Sequence, residues 1–136
     1  MDTNGNTKKI LIKDLCSRLP YRVKVQHLPS QIPLEILSIN PNGVAWVTGD
    51  KGYPFEVDWK NCKPYLFPLS SMTEEQQKEY RKICDLDMEI LENRPMKGEP
   101  FPAMYNSQDW LDAHHFDYRG LIPMGLAIDV TGLNIY

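Results

Sequence analysis

Apolar residues near the start of the chain recur at intervals of three and four, the spacing that builds one face of a helix. They are Ile12, Leu15, Cys16 and Leu19. Pro20 follows them, and because the residue before a proline disfavours helical geometry, the helix has to stop there. The pattern predicts a short amphipathic helix over residues 8–19 that lies on a sheet, with a polar, disordered tail at residues 1–6.

The next part of the chain shows the short apolar segments and tight turns of a sheet. Five strands are predicted, at residues 21–27, 34–39, 44–48, 55–59 and 63–69. Pro41 and Gly43 suit a type I turn with a bulge, which would close a hairpin between the second and third strands. Pro64 and Pro68 lack N–H groups on the same side of the last strand, as edge strands do. We expect a bent antiparallel five-strand meander or a small SH3-like barrel over residues 21–69.

Helical spacing returns after residue 72. Thr73 and Gln76 form a capping box at the start of a helix, whose broad apolar face should lie on the sheet. That face comprises Tyr80, Ile83, Cys84, Leu86, Ile90 and Leu91. A second helix is predicted from Ser107, as its N-cap, to about Phe116, with a final strand at residues 126–130.

These elements predict an α+β fold made of an N-terminal helix, the strand-rich part at residues 21–69, and two C-terminal helices packed on it. The helical part spans residues 73–136. At this length one core suffices, so residues 7–136 are expected to form a single globular domain.

Asp87 interrupts the apolar face of the helix that starts after Thr73. A buried carboxylate without a partner is costly. Asp87 should therefore either pair with a cation such as Arg119 or Arg22, or lie at the rim of the core. A catalytic acid is a further alternative.

The formal net charge is -3, but it is unevenly distributed. Residues 1–65 hold nine basic and six acidic residues, whereas residues 66–136 hold six basic and twelve acidic ones. An acidic total argues against a protein built mainly to hold nucleic acid. A basic strand surface is the alternative, formed by Arg22, Lys24, Lys60 and Lys63 with Trp46 and Trp59, although both tryptophans more often point into the core.

Three scattered cysteines, Cys16, Cys62 and Cys84, indicate neither a disulfide framework nor a zinc site. The early apolar run, residues 10–12, is far too short for a signal peptide or a membrane span. We expect a cytoplasmic protein without a metal or another cofactor. Glycine-rich phosphate loops and the common hydrolase signatures are also missing from the sequence.

Two adjoining regions are the candidate functional surface. The first is the proline-rich apolar loop at residues 95–106, and the second is the aromatic and charged run that follows it. The candidate residues are Phe101, Met104, Tyr105, Trp110, His115, Asp117, Tyr118 and Arg119. In an enzyme, His115 could be the general base, Asp112 or Asp117 could orient it, and Arg119 could bind an anion. The alternative is a helix end that aromatic residues anchor and local ion pairs cap.

Three stretches of the chain together resemble a family of small uncharacterised proteins from Bacteroidetes genomes, prophages and phages. They are residues 13–21 (KDLCSRLPY), 63–73 (KPYLFPLSSMT) and 115–122 (HFDYRGLI), the last followed by Gly125-Leu126-Ala127. The family has no assigned reaction or ligand. The resemblance therefore implies a mobile-element context and no mechanism.

The missing catalytic motifs and this resemblance favour a non-enzymatic phage or mobile-element accessory protein that binds a host or phage protein. A small-barrel nucleic-acid-binding protein is the first alternative. An enzyme centred on His115, Asp117 and Arg119 is the second.

Overall fold

The computed structural model describes residues 4–49, 52–92 and 106–136. Within these ranges the chain forms three α-helices and a seven-stranded sheet, so the predicted α+β class is confirmed. The helices are α1 (Asn4–Arg18), α2 (Glu74–Glu92) and α3 (Asn106–Ala113). The strands are β1 (Lys24–His27), β2 (Ile32–Ile39), β3 (Val44–Thr48), β4 (Phe55–Asp58), β5 (Cys62–Pro68), β6 (Phe116–Asp117) and β7 (Ile128–Asp129).

The sheet is open and is not closed into a barrel. Its strand order is β4-β3-β2-β1-β5-β6, and β7 also pairs with β5. Strands β1 to β4 follow one another in antiparallel pairs, after which the chain crosses back and β5 pairs antiparallel with β1. β6 and β7 run parallel to β5. The predicted final strand at residues 126–130 is present as the short β7, and β6 is a strand that the alternating pattern did not predict.

The predicted edge position of the fifth strand is wrong. β5 pairs with β1 through residues 62–64, with β7 through Tyr65 and Leu66, and with β6 through Phe67 and Pro68. Pro64 and Pro68 each stand at the end of one of these ladders. A proline there removes only a terminal hydrogen bond, which explains how a strand with two prolines has partners on both sides.

The hairpin between β2 and β3 has the predicted turn. Gly43 has a φ of 90°, and its N–H donates to the Asn40 carbonyl oxygen at 2.9 Å. The Asn40 side chain also accepts hydrogen bonds from the N–H groups of Asn42 and Val44. A Cβ at Gly43 would overlap the Trp59 ring, so both the backbone conformation and the packing require glycine there.

α1 covers one face of the sheet, but through a different helix face from the predicted one. Its buried residues are Leu11, Asp14, Leu15 and Arg18, whereas Cys16 is exposed and Ile12 only half-buried. The helical period is the predicted one, shifted by one residue. Because of this shift, Leu11 packs among apolar residues of the strands. The Asp14 carboxylate and the Arg18 guanidinium are buried on the same face.

α2 packs chiefly against α3, in a small core that also includes Phe116 of β6, whereas the apolar pattern had predicted packing on the sheet alone. Tyr80 and Ile83 of α2 lie against a small core of Trp110, Leu111 and Phe116, whereas Leu86 and Met88 are exposed. Since α1 already covers the sheet, α2 finds its apolar partner in α3. The predicted capping box is present: the Gln76 N–H donates to Thr73 Oγ1 and the Thr73 N–H to Gln76 Oε1.

Candidate functional site

A cluster of buried polar side chains joins α1, α3 and the segment that follows α3. We call it the buried polar cluster; it comprises Asp14, Ser17, Arg18, Asp112, Tyr118 and Arg119. Arg18 Nε donates to Asp14 Oδ2 at 2.8 Å, one helical turn away, and both side chains are fully buried. Arg18 Nη2 donates to the Phe116 carbonyl oxygen at 2.7 Å, which ties α1 to β6.

The second half of the cluster comes from the C-terminal part of the chain. Arg119 Nη1 donates to Asp14 Oδ1 at 2.7 Å, and the Tyr118 hydroxyl donates to Asp112 Oδ1 at 2.7 Å. Both guanidinium groups lie over the Tyr118 ring, at 5.2 Å for Arg18 and 4.6 Å for Arg119. Two cations thus balance two buried carboxylates.

Burial has the largest effect on the Asp112 carboxyl of this cluster. It raises the pKa of Asp112, even though the Tyr118 hydrogen bond and the charges of Arg18 and Arg119 act in the opposite direction. Arg18 Nη1 lies 3.9 Å from Asp112 Oδ1 and has no hydrogen-bond partner among the described residues. The hydrogen bonds of Asp14 and Asp112 tie these carboxylates to neighbouring protein groups, so the cluster is built to hold three parts of the chain together.

The three residues of the enzyme hypothesis have separate partners. The His115 ring stacks on Tyr136 with 3.7 Å between ring centroids, and burial lowers its pKa to about 4, an effect that nearby cations reinforce. The Asp117 carboxylate accepts the N–H groups of Leu121 and Ile122, both at 2.9 Å. Arg119 binds Asp14. The described contacts join none of the three to another, and each makes a structural contact of its own.

The candidate surface around α3 is only partly described. Trp110 is buried, its indole N–H donates to Glu79 Oε1 at 2.9 Å, and it anchors α3 to α2. Phe101, Met104 and Tyr105, with the rest of the predicted loop up to residue 105, lie outside the described residues. The predicted helix end at Phe116 is shifted, since α3 ends at Ala113 and Phe116 belongs to β6.

Asp87 lies at the rim, half-buried, and caps the neighbouring helix. Its carboxylate accepts the N–H groups of Asn106 and Ser107, at 3.2 and 2.9 Å, at the start of α3. Burial alone would raise the pKa of Asp87, but these hydrogen bonds outweigh it and lower the pKa below its usual value. The residue that broke the apolar pattern thus connects two helices. Ser107, predicted as the N-cap, instead lies within α3, and its N–H is one of the two that Asp87 accepts.

The four cations of the predicted nucleic-acid face lie in different surroundings, although Lys24 and Lys63 project from the same face of the sheet. Arg22 and Lys24 line a polar cleft of about 500 Å³ together with Glu35, Thr48, Asn134 and Ile135. Lys60 lines a separate depression of about 370 Å³ beside Lys8 and Trp59. Lys63 lines neither of these and lies on β5, opposite Gln26.

The end of the sheet at β4 exposes several aromatic side chains. Tyr53 is 93% exposed, Trp46 43% and Phe55 40%. The prediction that both strand tryptophans point inward holds for Trp59, which is buried, and is wrong for Trp46. The register of β3 and β4 places Trp46 beside Glu56, and Phe55 beside Val47 on the opposite face. Aromatic residues therefore flank this edge of the sheet on both faces.

Residues 4–49, 52–92 and 106–136 contain neither a metal-binding cluster nor a membrane-spanning helix. No group of three or more His, Cys, Asp or Glu side chains there could hold a metal ion. None of the helices in the same ranges is long and apolar enough to cross a membrane. No protein-family model, curated protein or solved structure matches this chain.

Proposed function

We propose that this protein is a non-enzymatic binding module that recognises an extended segment of another protein at the outer edge of β4. The observation that carries this proposal is the group of exposed aromatic residues, Trp46, Tyr53 and Phe55, around that edge. Tyrosine, tryptophan and phenylalanine are enriched in protein interfaces, where a few such residues provide most of the binding energy.

The backbone of β4 offers hydrogen bonds to a partner strand. The Trp59 N–H donates to the Gly43 carbonyl oxygen at 2.7 Å, across the hairpin that β3 and β4 form. Backbone groups of an antiparallel strand alternate in direction, so those of Glu56 turn away from β3. Within the described part of the chain no strand pairs with that side of β4. An extended peptide can add to such an edge as a further strand.

Side chains at this edge define the chemistry of the partner. Glu56 and Asp58 are exposed on the face that carries Trp46, and Phe55 lies partly exposed on the other face, beside buried Val57. A strand added here would place alternate residues against two carboxylates and against an apolar surface. The proposed ligand is therefore an extended segment in which basic and apolar residues alternate. The same carboxylates would repel nucleic-acid phosphates.

The biological setting follows from the resemblance to proteins of Bacteroidetes prophages and phages. On that basis the proposed partner is a host or phage protein in the cytoplasm of the host cell. The mode of binding needs no catalytic residue, in keeping with the separate structural contacts of His115, Asp117 and Arg119.

A pair of synthetic peptides tests the proposal. One alternates lysine with valine or isoleucine, and the other has the same composition with the basic residues grouped at one end. We expect fluorescence anisotropy to show saturable binding of the alternating peptide, and ¹⁵N NMR to show the largest shifts at the amides of β4. Equal binding of both peptides, or shifts centred on another surface, would refute the proposal.

Two variants of one residue separate the backbone contact from the charge. Glu56→Pro removes the outward N–H, whereas Glu56→Gln retains it and removes only the carboxylate. We expect binding to be lost in the first and reduced severalfold in the second. Met88→Ser is the control, because Met88 is exposed on α2, away from the edge. In host lysate, a partner that copurifies with the wild type and with Met88→Ser, but not with Glu56→Pro, would identify the target.

A further inference from the structure

The polar cleft at the end of strands β1 to β3 is lined by other residues than the aromatic ones around the β4 edge. Its volume of about 500 Å³ is within the range of small-molecule sites. Among the described lining residues two cations, Arg22 and Lys24, face one carboxylate, Glu35, so these side chains carry a net positive charge in a chain whose total charge is negative. Lys24, Glu35 and Thr48 are strand residues of the sheet, whereas Arg22 lies two residues before β1 and Asn134 near the end of the chain.

Arg22 retains free donors in this cleft. Its Nε and Nη2 both donate to Glu35 Oε1, at 3.3 and 3.2 Å, and the side chain is 81% exposed. A guanidinium has five N–H groups, so this pair leaves three of them for a ligand. Arg22 also has a φ of 59°, a conformation that a long side chain rarely adopts. Arg22 in this conformation caps the turn at residues 19–21, where its N–H donates to the Leu19 carbonyl oxygen at 3.3 Å, and its side chain lines the cleft.

Lys24 and the C-terminal segment form the opposite wall. Lys24 Nζ donates to the Ile135 carbonyl oxygen at 3.0 Å, which leaves two N–H groups of the ammonium. The wall is held in place by Tyr136, whose hydroxyl accepts the Lys24 N–H and donates to the Tyr65 carbonyl oxygen, both at 2.9 Å. The cleft is thus preformed by hydrogen bonds across two strands.

The geometry points to a second site in this cleft, one that binds a small phosphate ester with hydroxyl groups, of the sugar-phosphate kind. Arg22 and Lys24 provide the charge-assisted hydrogen bonds that a phosphate requires. Glu35, Thr48 and Asn134 provide acceptors and donors for hydroxyl groups. The described residues of the lining include no aromatic ring and thus no platform on which a nucleobase would stack.

Titration of the ¹⁵N-labelled protein with ribose 5-phosphate tests this site, with ribose and inorganic phosphate as separate probes. We expect saturable shifts at the amides of Arg22, Lys24, Thr48 and Asn134, with weaker binding of inorganic phosphate and none of ribose. No saturation up to about 10 mM ribose 5-phosphate, well above the roughly 1 mM dissociation constant of a weak site, would overturn the proposal. Equal binding of inorganic phosphate would overturn the assignment of the hydroxyl-binding groups.

Arg22→Gly is the decisive variant, since glycine relieves the positive φ and the protein should remain folded. We expect this variant, and Lys24→Gln, to bind ribose 5-phosphate about 10- to 100-fold more weakly, the loss of one charge-assisted hydrogen bond. Lys60→Gln, which removes a cation from the other depression, should bind like the wild type. Equal affinity of all three variants would show an unspecific attraction to surface cations. Peptide binding at β4 should persist in Arg22→Gly, so the two proposals fail independently.

Discussion

Arg18→Met is the substitution that most directly tests the buried polar cluster. Methionine retains much of the apolar volume of the arginine stem and removes the guanidinium. Asp14 Oδ2 then loses a donor at 2.8 Å and the Phe116 carbonyl oxygen loses one at 2.7 Å. Asp112, with its carboxylate oxygen 3.9 Å from Arg18 Nη1, loses the nearby charge. One positive charge then faces two buried carboxylates.

Removing one partner of a buried ion pair costs about 3–5 kcal/mol, because the remaining charge stays buried. Asp14 retains its second partner, Arg119, at 2.7 Å, so we expect the lower end of this range. About 3 kcal/mol corresponds to a decrease in the melting temperature of roughly 10 °C for a domain of this size. The loss is a large fraction of the total stability of a small domain.

Urea unfolding followed by tryptophan fluorescence measures this difference. Arg22→Met is the matched control, since Arg22 is also paired with a carboxylate but is 81% exposed, and exposed pairs contribute about 0–1 kcal/mol. A loss below about 1 kcal/mol for Arg18→Met, or a loss equal to that of the control, would refute the stabilising role of the cluster.

Two further predictions concern His115 and Gly43. Folding lowers the pKa of His115 from 6.5 to about 4, so the unfolded chain binds its proton first and stability should fall as the pH decreases from about 7 to 4. Because His115 is partly exposed, this loss of stability is limited to roughly 1–2 kcal/mol. Urea unfolding at several pH values measures the loss, which should be absent from His115→Asn. If this variant lost as much stability at low pH as the wild type, His115 would not be its source. Gly43→Ala should lower the free energy of unfolding by about 2–4 kcal/mol, because strain at positive φ adds to overlap with the Trp59 ring. Gly125 also has a positive φ but has open space around it, so Gly125→Ala should lower that free energy by only about 1 kcal/mol. Equal losses in thermal unfolding would exclude the packing contribution.

Local features of the fold were predictable because their causes lie within a few residues of sequence. The Thr73 capping box and the Asn40 to Gly43 turn both depend on hydrogen bonds between near neighbours. The strand periods identified β2, β3 and β4, since alternation reflects a sheet with one buried face. The α+β class followed from these elements.

The arrangement of the elements was decided by partners far apart in the chain. β5 obtained its second set of neighbours from residues 116–117, a segment too short to show a period, and from residues 128–129, which lie in the predicted final strand but gave no sign of their partner. The face of α1 that is buried depended on Arg119 and Phe116, which satisfy Asp14 and Arg18 from about a hundred residues away. The one local signal was the Asp14–Arg18 pair, four residues apart, and that spacing is equally common on exposed helix surfaces.

The sequence by itself thus determined the strands, the hairpin and the capped helix, and it singled out Asp87, His115, Asp117 and Arg119 as unusual. Only the tertiary structure decided what each of them contacts: a helix N-terminus, an aromatic ring, two backbone amides and a buried carboxylate. It also turned Trp46 outward and brought Arg22 and Lys24 to one cleft. The physical reason is that the spacing of apolar residues shows which face of an element is buried. The role of a buried polar side chain depends on its hydrogen-bond partner, and only the fold brings that partner close.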